Sequence, residues 1–129
     1  MVWQKSIVLV KETYKISNAF PDEEKFGLTS QIRRASGSIP SNIAEGWGRL
    51  SRKNYIQFLR VARGSLFELE TQIIIAKELN YIDVDKNHNN LEKERNETQK
   101  LMTLDYQDQS RDQLENLLSY PDMRIRKKA

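Results

Sequence analysis

The feature that most constrains this chain is an apolar seam in its middle. Tyr55, Phe58 or Leu59, Ala62, Leu66, Leu69, Ile73, Ala76 and Leu79 recur at steps of three and four residues. That spacing lines one face of an α-helix, whereas a strand would repeat every two residues. A helix carrying this seam is about 40 Å long at 1.5 Å per residue. Phe67, Ile74 and Ile75 fall off the seam and widen the apolar face. One bundle core uses a single stripe, so the excess predicts a second packing surface and self-association.

The rest of the chain reads as shorter helices of the same kind. Trp3, Ile7, Val10 and Tyr14 line one face of a first helix, which Asn18 and Pro21 end. Pro21 suits the first turn of a second helix, and Asp22, Glu23 and Glu24 complement its positive N-terminal dipole. Leu28, Ile32, Ala35, Ile39, Ile43 and Trp47 continue that helix. Pro40 lies inside it and predicts a kink or a short break. The small residues Ala35 to Ser38, Gly37 among them, predict a close approach of another helix at the bend. Gly46 and Gly48 are expected to stop this helix, and Ser51 to cap the next. Asn80 and Asp83 mark a turn into a fourth helix. Between Asp85 and Lys100 its only large apolar residue is Leu91, so this span is expected to be largely exposed or frayed. Apolar residues return at Leu101, Met102, Leu104 and Tyr106, then at Leu114, Leu117 and Leu118.

Composition agrees with an all-α chain. Prolines number 3 and glycines 5, while Leu, Ile, Glu, Lys, Gln and Arg dominate. At 129 residues the chain is one domain. The expected bundle covers residues 1–120, with helices at about 2–18, 21–46, 51–80 and 83–119, then a basic tail at 121–129. With no cysteine there is no disulfide framework, thiolate zinc site or cysteine nucleophile. The apolar run near the N-terminus is broken by Lys11 and Glu12, so neither a secretory signal nor a membrane span is expected. The default is a cytoplasmic protein with no membrane partner.

Charge is concentrated. Between Arg33 and Arg63 lie Arg33, Arg34, Arg49, Arg52, Lys53, Arg60 and Arg63 against one acid, Glu45, which is 7 − 1 = +6. The whole chain carries 21 − 18 = +3, so the remainder sums to −3. A focused positive field of this kind fits a surface that meets polyanions, and those seven residues are the candidate nucleic-acid contacts. An arginine-rich solvated helix face is the plainer alternative. Glu45 reads as a buried or interfacial partner for a nearby arginine. Nothing suggests catalysis, a metal or a cofactor: the single histidine, His88, lies in a polar segment without a second ligand at helical spacing. Glu68 and Glu70, two apart, face different sides of the third helix, and no phosphate-cradling glycine loop follows a strand.

Three blocks resemble a known family: VWQKSIVLVKETY at the start, GLTSQIRRASGSIPSNIAEGWGR over residues 27–49, and NYIQFLRVARGSLFELETQIIIAKELNYI over residues 54–82. SIPSNIAEG and ARGSLFELETQ are the most specific parts. The chain resembles the proteins encoded by intervening sequences of 23S rRNA genes and, more distantly, the accessory variability determinant of diversity-generating retroelements. The resemblance implies an up-and-down four-helix bundle assembled as a barrel-like homopentamer with no assigned catalysis. It covers residues 2–82, beyond which the chain departs from the family pattern. Its retroelement relatives imply, as partners, a reverse transcriptase and nucleic acid. The leading expectation is therefore a non-catalytic accessory protein that binds structured RNA through phosphate contacts. The second is a protein–protein adaptor docking a partner such as a reverse transcriptase. An enzyme stands a distant third.

Overall fold

The computed structural model describes residues 2–82 and 88–107, with side chains defined over 2–82 and 91–102. The expected helical residues 83–87 and 108–119, the basic tail and the His88 side chain lie outside this. Four helices form: α1 (Val2–Ser17), α2 (Leu28–Gly48), α3 (Arg52–Glu78) and α4 (His88–Gln107), with one 3₁₀ turn at Asp22–Glu24. Each helix packs on its neighbour in sequence, and α4 closes the ring against α1. The described residues thus form a four-helix bundle.

The central seam is as expected. Tyr55, Leu59, Ala62, Leu66, Leu69, Ile73 and Ala76 of α3 are buried against Leu28, Ile32, Ala35, Ile39, Ile43 and Trp47 of α2 and the rest of the core. Leu59, not Phe58, takes the seam position, and Leu79 at its end is 49% exposed. Ser51 caps α3 by accepting from the Asn54 backbone N–H at 3.4 Å.

The bundle corrects five local expectations. The 21–46 helix begins at Leu28 instead, because Pro21 leads only into the 3₁₀ turn. α2 runs unbroken through Pro40. Around the proline, Ser38 Oγ donates to the Ala35 carbonyl (2.8 Å), Ser41 Oγ to Gly37 (2.9 Å) and Asn42 Nδ2 to Ser38 (2.7 Å). These bonds give carbonyls near the proline additional donors. Gly46 lies inside the helix, which ends at Gly48 as expected; the chain then turns at Leu50, which takes φ = 56°. The close approach is not at Gly37, where an added Cβ meets nothing within 4 Å, but at Gly46, where it would lie 2.6 Å from Phe58 Cβ and 3.3 Å from Tyr55 Cα. Trp3 is buried as expected, but beyond it the inward face of α1 is offset by one residue from the expected stripe: Val2, Ser6, Leu9, Thr13 and Ile16 are buried, while Tyr14 is 45% exposed. Ser6 and Thr13 fit the core because their hydroxyls donate to the carbonyls of Trp3 (2.6 Å) and Leu9 (2.8 Å).

The α3–α4 corner is closed by backbone geometry and one side-chain tie. Asn80 at φ = 60° ends α3, with Tyr81 N–H bonded to Ala76 O (2.8 Å) and Asn80 N–H to Lys77 O (3.0 Å). This is the left-handed cap that Asn tolerates well. Tyr81 then donates its hydroxyl to Glu24 Oε2 at 3.0 Å and rests against Phe20, joining this corner to the α1–α2 corner.

The polar fourth helix is neither frayed nor undocked over its described span. Leu91, Thr98 and Met102 form a narrow buried line, with Thr98 Oγ1 bonded to Glu94 O at 2.7 Å. Ion pairs supply the rest: Lys5 of α1 bridges Glu94 (3.1 Å) and Glu97, and Arg95 pairs with Glu70 of α3 (3.2 Å). The hydrogen bond from Lys5 lowers the Glu97 pKa, and its bonds to Glu97 and Glu94 raise that of Lys5.

Two outcomes follow from this packing. Gly46→Ala overpacks the α2–α3 contact and is expected to cost about 1–3 kcal/mol, less a helix-propensity gain of about 1 kcal/mol. Gly37→Ala gains that propensity without a clash, so thermal unfolding should order the variants Gly37→Ala, parent, Gly46→Ala from most to least stable. The Lys5 latch has a defined pH window. Glu97, with its folded pKa depressed, contributes above its ordinary value of 4.5 and loses that contribution as pH falls through the folded value. Lys5, raised, contributes below 10.5 and loses it as pH climbs through its higher folded value. Hydrogen-exchange protection of residues 91–102 should therefore hold across neutral pH and drop in acid. In Lys5→Met that protection should be weaker at neutral pH and less sensitive to acid.

Candidate nucleic-acid interface

The seven basic residues do not form one continuous patch; the structure sorts them by what holds them. Arg52 and Lys53 open α3, with Arg60 two turns further on, and all three are exposed. With Ile56 and Gln57 they line an open groove in which no carboxylate stands among the described residues. No acidic residue occupies the first turn of α3. Two cations therefore sit against the positive end of a 27-residue helix, where carboxylates would be the stabilising choice. The arrangement weakens the helix end and strengthens the local positive potential. Helix N-termini already favour anions, and these side chains add to that field. Leu50, held in left-handed backbone just before them, adds strain to the same turn.

Arg49 is folded back on the protein. Its Nη2 lies 2.9 Å from Glu45 Oε1, one helical turn away, and its guanidinium covers the Phe58 ring at 5.3 Å. Both members of the pair are more than half exposed, so Glu45 does partner an arginine but is not buried. Arg63 lies over the Phe67 ring at 5.5 Å. Glu70 pairs with Arg95 of α4, and Glu68 accepts from Gln72 at 3.3 Å.

Arg33 and Arg34 lie elsewhere, in a groove between α1 and the head of α2 together with Lys25 and Tyr14. Arg33 is a structural tie: its Nε donates to Ser17 Oγ and its Nη2 to Asn18 Oδ1, both at 2.8 Å, and it covers Tyr14 at 4.6 Å. Arg34 is exposed. Lys25, Tyr14 and the neighbouring Phe26 were missed as site candidates. The visible signal was an aromatic next to a lysine, just upstream of the Arg33–Arg34 pair.

Among the described residues no three His, Cys, Asp or Glu side chains gather as a metal site would require, and no helix is long and apolar enough to cross a membrane. The cations that line the two open grooves give each a positive potential that favours anions.

The family model of the 23S rRNA-intervening sequence protein matches residues 1–104. The chain belongs to this family. The match continues past residue 82, where the likeness read from sequence stopped, and takes in most of α4. The polar fourth helix is thus part of the family's pattern. The family is not a known enzyme family. No curated protein matches the chain.

Proposed function

We propose that this protein is a non-catalytic, nucleic-acid-associated accessory protein that binds structured RNA through the groove at the head of α3. The observation that carries the reading is the placement of Arg52 and Lys53. Both crowd the positive end of a long helix, with no carboxylate among the described residues of the groove that they line. Bound phosphate relieves that crowding. The family's description, which refers to a 23S rRNA intervening sequence, fits a nucleic-acid-associated role. Contacts to phosphate give affinity without sequence reading, and no aromatic sheet or other base-reading module accompanies them among the described residues.

The functional unit in this reading is a homo-oligomer, with five copies as the stoichiometry the resemblance implies. Val61, Phe67, Ile74, Ile75 and Leu79 are each 43–51% exposed along α3. Gly64 lies among them with nothing within 4 Å of an added Cβ. A glycine inside an exposed helix costs about 1 kcal/mol relative to alanine, a cost that a close approach by a second copy would offset. Repetition of the α3 groove around such an assembly raises a modest affinity by avidity. Light scattering should return several times the 15.2 kDa chain mass; a monomer at micromolar concentration removes this part of the reading.

The RNA test uses Arg52→Glu combined with Lys53→Glu. Acids in a first helical turn stabilise it, so the double variant should melt no lower than the parent. Its affinity for structured RNA should nevertheless fall, and log affinity should depend less steeply on log salt. The expected reduction in slope is about 0.7–0.9 for each phosphate that the variant no longer engages. A variant that binds RNA as the parent does, with the same slope, rules the groove out. The adaptor reading, with a protein partner such as a reverse transcriptase, then takes its place.

A further inference from the structure

The second groove has a different chemistry from the first. Phe26 is 90% exposed, the most exposed large apolar side chain among the described residues. It is not on a loose loop. Its turn is closed by Lys25 N–H to Asp22 O (3.1 Å) and Gly27 N–H to Glu24 O (2.9 Å). Glu24 is itself held by Tyr81 on one oxygen and by the Leu28 N–H on the other. A hydrophobic residue just before a helix often packs on the fourth helical residue, but here that residue is Gln31 and gives no apolar partner. The ring is therefore held out in water by a braced backbone, with Lys25 Nζ 5.6 Å from its centre.

Around it the groove is cationic and flat. Lys25, Arg33 and Arg34 line it, and among the described residues no carboxylate does. Tyr14 and Arg33 form a second stacked platform at 4.6 Å, fixed by the bonds from Arg33 to Ser17 and Asn18. Gly37 leaves the α2 side open where any other residue would project a Cβ into free space. Exposed aromatics interleaved with cations are what single-stranded nucleic acid uses: bases stack on rings and on guanidinium planes while phosphates meet the charges. A duplex cannot use such a surface, because its base faces are already covered.

We propose that the groove formed by Tyr14, Lys25, Phe26, Arg33 and Arg34 is a stacking site for unpaired nucleotides of RNA. The proposal deepens the RNA-binding reading above but rests on a different groove. Phe26 takes one base face, Arg34 and Lys25 take the flanking phosphates, and the Tyr14–Arg33 platform takes the neighbouring base.

The test is a single-stranded RNA tetranucleotide carrying 2-aminopurine, whose fluorescence is quenched on stacking. The parent should quench it, and Phe26→Ala should weaken binding about tenfold or more. Phe26→Leu should weaken it similarly, because leucine keeps the apolar bulk but offers no ring, whereas Phe26→Tyr should retain binding. The Arg52→Glu, Lys53→Glu double variant should still quench, which separates this site from the α3 groove. Absence of quenching by the parent at millimolar protein overturns the proposal, even if longer structured RNA binds. It is equally overturned if Phe26→Ala binds the tetranucleotide as the parent does. A fall in molecular mass for Phe26→Ala with unchanged quenching assigns Phe26 to a contact between copies and also overturns it.

Discussion

The α2–α3 contact at Gly46 is the constraint on which the rest of the bundle depends. With no side chain there, Phe58 and the Tyr55 backbone come directly against α2. Interior packing is dense, so the contact fixes how far apart the two longest helices lie. That spacing lets Ile39, Ile43, Leu59 and Leu66 reach full burial. It also places the α2–α3 turn, with Leu50 in left-handed backbone and Arg52 and Lys53 shortly after it. The candidate interface is thus positioned by a contact made one helical turn away in the core.

The central helices were readable from sequence because their packing is made of large apolar side chains at helical spacing. The errors arose where packing uses other means. α1 buries Ser6 and Thr13, whose hydroxyls bond their own helix, so a pattern drawn through Ile7, Val10 and Tyr14 landed one residue away. α4 docks through Thr98 and through charges on Glu94, Glu97 and Arg95, none of which looks like a core residue in a sequence. For the glycines, the deciding signal was present. Gly46 follows Ile43 by three residues on the buried face, whereas Gly37 lies between seam positions. Its smallness and nearness to Pro40 drew attention to the wrong one.

The candidate site was legible as charge but not as arrangement. Counting residues shows where basicity is concentrated, not which arginines are already engaged. Arg33 ties α2 to the end of α1, Arg49 leans on Glu45 and Phe58, and Arg63 covers Phe67. The side chains lining the α3 groove are set apart by their place on the helix, which needs the helix start to be known. Phe26 escaped notice because one exposed aromatic in a turn leaves no periodic trace.

The contrast between the Gly46 contact and the α4 latch bears on how such a sequence can drift. At Gly46 every side chain is excluded by a main-chain neighbour and a Cβ, so the position admits almost no substitution without a compensating change at Phe58. On α4 the demands are few and interchangeable. A charge can be swapped for its opposite if Lys5 or Glu70 changes with it, and among the described side chains of α4 only Leu91, Thr98 and Met102 are buried. The fourth helix can therefore be rewritten over most of its surface while the fold stays the same. A change of sequence on that surface would then say little about whether the bundle is kept.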